Sequence, residues 1–463
     1  MADDIRARIY RQITQSSTVF AVLERMRTLG FWPRGKGLPP DPPEEAAERL
    51  AIEAELASLR EHHGRIKDPE AALAEERQRR WADSRTRRAE AKALLAKKRG
   101  ERRFAYDTHR SSSVVHAGIG VSGALQDIDG DPMSLRARGL PEIRTAAELA
   151  QAIGIPLATL RWLTFHRKVA TLVHYHRYEI AKKTGGVRCI SAPKPQLGSA
   201  QRWVLVSILD RLDAEPEAHG FVKGRSIVSN AMPHAGREIV INLDLRDFFP
   251  TITFRRVQGL FRMLGYSGQV ATLLALLTTE PPRLLARLDN RPLAIEMGQR
   301  VLPQGACTSP AITNAICRRL DRRLAGLAQR HHFYYTRYAD DLTFSGSNPR
   351  ASGRLLRSVR SILQEEGLVE HPRKTKLMRR GRRQEVTGLT VNDRPKVARA
   401  ELRRLRAILH NAAVHGLESQ NREERPDFAS YLRGKVAFAC MADPTRAETW
   451  KVALQAALLS TGS

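Results

Sequence analysis

The chain has 463 residues, of which 77 are Lys or Arg and 49 are Asp or Glu, a formal charge of +28. Such length exceeds one ordinary domain and leaves room for a sizeable core, while the positive excess opposes compaction unless a polyanion neutralises it. Nucleic acid is the commonest such partner, with an acidic membrane surface as the alternative. No apolar run approaches the roughly 20 residues that cross a bilayer, and the opening "MADDIRARIYRQ" lacks the apolar core of a secretion signal, so a cytoplasmic protein is expected. Cys189, Cys307, Cys317 and Cys440 are scattered, without CxxC or finger spacing, and indicate neither a disulfide frame nor structural zinc.

In chain order, "STVFAVLERMRTLGFW" is a short helix candidate that ends in the breaker-rich "PRGKGLPPDPPEE". Residues 44–103 are rich in Ala, Glu and Arg and predict extended helices. Within them, Arg77 to Arg103 carries twelve basic residues against Asp83, Glu90 and Glu101, a local balance of +9. That stretch is either a solvated helix face or an arm lying along phosphates. Residues 104–140 are rich in Gly and Ser. Their "GIGVSG" has the spacing of a dinucleotide fingerprint, yet Gly130 and Pro132 arrive before a useful helix forms, so a surface loop is expected. "DIDGDP" lacks the Gly and Glu of a calcium loop.

From about residue 145 the pattern is that of an α+β unit. "TAAELAQAIGIPLATLRWLTF" predicts a helix pair, and "YEIAKKTGGVRCISAPK" alternates as two strands about Gly185 and Gly186. "EIVINLDLRDFFPTI" predicts a buried strand ending at Asp244 and Asp247. "RVLPQGACTSPAITNAICRRL" predicts a turn at Pro303-Gln304-Gly305 and a helix from Ser309. "YYTRYADDLTFSG" predicts a hairpin with Asp340 and Asp341 at its tip. The last 70 or so residues return to helices, broken at Gly416, Pro426 and Pro444.

Adjacent acids at a turn are often merely solvated. Two acid-tipped strands in one sheet would instead converge Asp244, Asp340 and Asp341, a hard oxygen donor set of the kind Mg²⁺ uses while keeping waters and substrate phosphates. Two such ions about 4 Å apart activate a hydroxyl and steady a leaving pyrophosphate. The PQG loop and the helix N-terminus after it are suited to touching a nucleotide and its template without reading bases.

The order "LDLRDFF", "LPQGACTSP", "YADD" resembles motifs A, B and C of the reverse transcriptase palm. The resemblance spans about residues 145–460 and implies a right-hand polymerase fold. Its domains would be a helical, basic extension with a Gly/Ser-rich linker at 1–140, fingers at 141–235, palm at 236–392 and a helical thumb at 393–463. It further implies that Asp244, Asp340 and Asp341 hold two Mg²⁺ ions, with Mn²⁺ as a substitute. Lys182, Lys183 and Arg188 would grip the incoming dNTP, with Gln304 and Gly305 beside it and Lys374 as the motif D lysine. Phe249, five residues after Asp244, matches the steric gate against a ribose 2′-hydroxyl, which predicts a DNA product. Viral RNA-directed RNA polymerases usually carry Gly-Asp-Asp and lack this gate.

Two further stretches are similar to the bacterial retron reverse transcriptases, with the larger myxobacterial-type members sharing the long basic extension. They are NAxxH (Asn230, His234) and VTG (Val386, Thr387, Gly388). Group II intron-like enzymes are the rival, and a catalytically idle RNA-binding scaffold is the non-enzymatic alternative. The retron resemblance implies a cognate structured noncoding RNA, priming from an RNA 2′-hydroxyl, a branched single-stranded DNA product and a role in anti-phage defence with an effector protein. No RNase H sequence is visible, so template removal falls to a separate host enzyme. Candidate RNA contacts are the thumb helices, residues 77–103, Asn230 and His234; His234 is alternatively a hydrogen-bonded core residue, and the motif a brace of the palm.

Overall fold

A computed structural model of the chain describes residues 27–31, 33, 35, 43–63, 69–181 and 185–459. The helix expected at "STVFAVLERMRTLGFW" lies mostly outside them, as do Lys182 and Lys183. The chain divides into two units, Met1–Arg103 and Phe104–Ser463.

The first unit contains α1 (Pro43–His63) and most of α2 (Pro69–Ser112), a 44-residue helix. Every residue from Arg77 to Thr108 is exposed. Local pairs such as Arg80–Glu76 at 2.8 Å support α2, in keeping with a helix whose pattern offers no apolar stripe to a core.

The second unit begins with a segment that the sequence pattern had assigned to the extension. Val114, Ala117, Val121, Leu125, Leu135 and Leu140 are buried in the same core as the helices that follow. Residues 104–140 therefore belong to the larger unit, and the "GIGVSG" loop is anchored at its flanks. Gly118 permits this, because a Cβ there would stand 2.2 Å from the His166 carbonyl oxygen. The short α3 (Pro132–Ala137) is capped by Asp131 of "DIDGDP", which accepts from Ser134 N.

The expected helix pair is α4 (Ala146–Ile153) and α5 (Leu157–Thr164), split by Gly154 in a left-handed cap. Then come β1 (Val169–Ala170), β2 (Tyr175–Ala181), β3 (Val187–Pro193), α6 (Pro195–Ser207) and α7 (Ile227–Ala231). After β4 (Ile239–Asp244) follow α8 (Phe254–Leu264), the wholly buried α9 (Gly268–Thr278), β5 (Arg283–Leu288) and β6 (Arg291–Glu296). Next are α10 (Ser309–Arg330), β7 (Phe333–Tyr338), β8 (Asp341–Gly346), α11 (Ser352–Glu365), β9 (Lys376–Arg379) and the hairpin of β10 (Glu385–Val386) and β11 (Leu389–Thr390). Helices α12 (Arg399–His415), α13 (Phe428–Ala442) and α14 (Ala447–Leu459) close the chain around their own core, with breaks at the expected Gly416 and Pro444.

The central sheet has the order β7-β8-β4-β9, antiparallel throughout. Ile239, Ile241 and Leu243 of β4 face α10 and α11, while Val240 packs against Val386, Leu389 and Val391. Burial on both faces explains why β4 reads as a continuous apolar run rather than an alternation.

Candidate active site

β4 and β8 pair so that Asp244 stands directly opposite Asp341. Asp341 also closes the β7–β8 hairpin against Tyr338, leaving Ala339 and Asp340 as the turn. Ala339 adopts φ of +56°, a left-handed conformation that costs a residue with a Cβ. The tip is tied to β4's continuation by Leu245 N donating to Asp340 O at 3.0 Å. Two strands a hundred residues apart in sequence thus deliver three carboxylates to one end of the sheet.

Like charges at opposed positions raise each other's energy. Desolvation, then Asp340 and Asp244, push the Asp341 carboxyl up to about 6, although its side chain is exposed at the tip. Desolvation, then Asp244, raises Asp340. Lys374 offsets part of this: its Nζ donates to Asp244 Oδ1 at 2.8 Å. Among the described residues, no group of three or more His, Cys, Asp or Glu is gathered tightly enough to hold an ion in this arrangement. The donor chemistry nevertheless fits a hard cation, since three carboxylates raise one another's energy where positive charge would relieve them.

The acids open onto a cleft of ≈ 860 Å³ whose walls include Arg188, Phe249, Gln304, Gly305 and Lys374 beside Asp244 and Asp340. Ser191 N of β3 donates to Gln304 O at 2.7 Å. Gly305, at φ +116°, presses so closely on that strand that a Cβ would lie 2.8 Å from Ile190 Cγ2. Ser309 Oγ donates to Pro303 O and fastens the loop to the start of α10. Phe221 and His371 line the same cleft and were not singled out in the sequence, and Asp247, expected only as a strand-end acid, lines it too. The one local signal for Phe221 is the preceding Gly220, where a Cβ would meet Ala339 N at 2.5 Å.

A buried polar network supports the hairpin. Arg337 and Asp321 are both 0 % exposed and form a two-pronged pair, Nε to Oδ1 at 2.8 Å and Nη2 to Oδ2 at 2.7 Å. Arg337 Nη1 donates to Asn314 Oδ1 at 2.9 Å, and Tyr335 donates its hydroxyl hydrogen to Asp321 Oδ1 at 2.9 Å. α10 is thereby locked to β7, the strand that leads into the acidic turn.

Asn230, His234, Val386, Thr387 and Gly388 do not line the cleft. His234 is completely buried, with Nδ1 at 2.7 Å from Ser345 Oγ and Nε2 at 2.8 Å from Thr336 Oγ1, and burial pushes its imidazole down to about 3. With no exposed surface it is a brace between β7 and β8 rather than an RNA contact. Thr387 and Gly388 form the β10–β11 turn, both at positive φ, and Thr387 Oγ1 donates to Ile227 O at 3.3 Å. Asn230 Nδ2 reaches Thr387 Oγ1 at 3.5 Å, so the two short motifs meet each other.

The family profile described as "Reverse transcriptase (RNA-dependent DNA polymerase)" matches residues 180–396. The retron Mx162 reverse transcriptase of Myxococcus xanthus is 43% identical over 379 residues, covering 77% of each chain. The retron Mx65 reverse transcriptase of the same organism is 44% identical over 324 residues, covering 70% of this chain and 74% of that one. The retron Ec86 reverse transcriptase of Escherichia coli is 34% identical over 280 residues, covering 60% and 81%. The α+β architecture is accordingly that of the right-hand polymerases, with a helical basic region ahead of it. This chain belongs to the retron reverse transcriptases and is an RNA-directed DNA polymerase.

Proposed function

We propose that the protein copies a cognate structured noncoding RNA into single-stranded DNA, primed from an RNA 2′-hydroxyl to give a branched, RNA-linked product, and that it does so in anti-phage defence beside an effector protein. Fingers at 141–235, palm at 236–392 and thumb at 393–463 would enclose the template. Asp244, Asp340 and Asp341 would hold two divalent ions, Mg²⁺ with Mn²⁺ as substitute. When bound, these supply charge stabilisation at the transferring phosphate and a more acidic attacking hydroxyl. Arg188 offers a bidentate fork and Lys374 a point charge to the triphosphate. Lys182 and Lys183 are assigned to the same task by motif alone. The Phe249 ring excludes a 2′-hydroxyl, and Gln304 and Gly305 floor the nucleotide. The exposed basic stretch of α2 is the additional RNA-facing element, with host RNase H trimming the template afterwards.

The observation that carries this reading is the register that sets Asp244 opposite Asp341 at the mouth of a cleft walled by Arg188 and Lys374. The test is primed RNA copying by the Asp340→Ala, Asp341→Ala variant with dNTPs and Mg²⁺. A loss of roughly 10³-fold or more is expected if several kcal/mol of transition-state stabilisation depends on these acids. DNA synthesis that persists with folding and RNA binding intact would remove the assignment. RNA binding that persists in a wild-type protein unable to copy would favour the idle scaffold.

A further inference from the structure

Phe221 combines three properties. Its backbone is left-handed, φ +60°, which is an outlier for a bulky residue. The residue is 60 % exposed. It lines the same cleft as Asp340 and Phe249, with its ring centroid 6.4 Å from that of Tyr338 at the hairpin.

The strain persists because the surrounding backbone overdetermines it. Arg337 N donates to Glu217 O at 2.7 Å and His219 N to Arg337 O at 2.8 Å, so the approach to the turn is stitched to β7. Asn314 Nδ2 donates to Gly220 O at 2.9 Å, and Gly220 is in close contact with the Ala339 backbone. The same Asn314 takes the Arg337 guanidinium. One buried network therefore positions both the acidic tip and an apolar ring held out in water beside it. A ring gains nothing from exposure, and one held on strained backbone beside the acids suits a ligand with an apolar face. Arg188 on the same wall, with Lys374 already paired to Asp244, suits a ligand that carries negative charge. A nucleic-acid base on its phosphate backbone satisfies both demands, and aromatic stacking accepts every base.

We propose that Phe221 is a stacking platform for a base of the nucleic-acid strand lying at the Asp244–Asp340–Asp341 tip. This rests on the polymerase reading above and deepens it by naming a contact residue that the motifs do not include.

The test compares full-length wild type with Phe221→Ala, Phe221→Trp and Phe221→Gly, measuring Kd for a primed RNA template, primer extension and Tm. Phe221→Ala is expected to weaken binding roughly 5- to 100-fold, the range for losing one base–aromatic stack. Phe221→Trp keeps wild-type affinity. Phe221→Gly loses affinity as Ala does, while its Tm stays level or rises, because glycine adopts this φ without strain. A purely structural role would instead lower Tm together with affinity in the glycine variant, and that result, or an unchanged Kd for Phe221→Ala, overturns the proposal. Repeating the series on a blunt primed duplex and on one with a template overhang shows which strand supplies the base; a loss on either supports the stack. A wild type that extends no primer refutes the underlying reading, whereas extension that all variants match refutes only this inference.

Discussion

At the tip of the β7–β8 hairpin, three carboxylates crowd one another and the Asp341 carboxyl is pushed up to about 6. A few residues back along the same strands, Arg337 pairs with Asp321 of α10 inside the protein and His234 bridges Thr336 and Ser345. The tip keeps an unfavourable charge arrangement that awaits a partner, and the base has its polar groups paired. A hairpin anchored only by apolar packing could relax and let the acids splay. Buried pairs of fixed geometry deny it that freedom, so the repulsion at the tip remains available for binding.

Three measurements would break or sharpen this contrast. The largest effect is expected at the base. Asp321→Ala leaves the Arg337 guanidinium buried and unpaired, and should lower the unfolding free energy by roughly 3–5 kcal/mol in urea melts. Replacing both partners, Asp321→Leu with Arg337→Met, should recover most of that loss. A single-variant cost well below this range would mean that the network does not stiffen the hairpin.

The second concerns His234, whose folded-state value of about 3 lies below its ordinary 6.5. A depressed imidazole contributes stability that is present above the unfolded value and drains away as pH falls from about 6.5 towards 3. Wild type should therefore lose stability over that window faster than His234→Gln, read as the difference in Tm against pH. Parallel curves would contradict the buried, neutral imidazole.

The smallest effect has the opposite sign. Asp341 is raised from 3.8, so its ionisation lowers stability as pH climbs through about 4 to 6. In metal-free buffer Asp341→Asn should be more stable than wild type above pH 6, on the order of 1 kcal/mol given screening at an exposed carboxylate, with no difference below about pH 4. Equal stability throughout would mean that the three acids do not repel one another as the geometry requires.

How much of this was legible in the sequence follows from whether each feature is local. β4 ends at Asp244, the first of the two acids expected there, the helix pair splits at Gly154, and the hairpin turns at Ala339-Asp340, one residue before the expected tip, because periodicity and turn chemistry act over a few residues. The convergence of Asp244, Asp340, Asp341, Gln304, Gly305 and Lys374 came through motif order, which stands in for long-range pairing. The Arg337–Asp321–Asn314 network left no such trace, since an arginine in a strand and an aspartate in a helix look like solvated surface until the elements pack. His234 could be read from the sequence as a core histidine or as an RNA contact, and only its long-range partners Ser345 and Thr336 decide for the core. Residues 104–140 were misassigned because Gly-rich composition masked Val114, Val121 and Leu125, isolated apolar residues whose partners lie far along the chain.

Gly305 has a mechanical consequence. Its contact with Ile190 and Ser191 leaves no slack between the PQG loop and β3, the strand that also carries Arg188. A shift of β3, and with it Arg188, would therefore press directly on the loop that lines the same cleft. Any side chain at 305 would act as a wedge, forcing the loop and β3 apart.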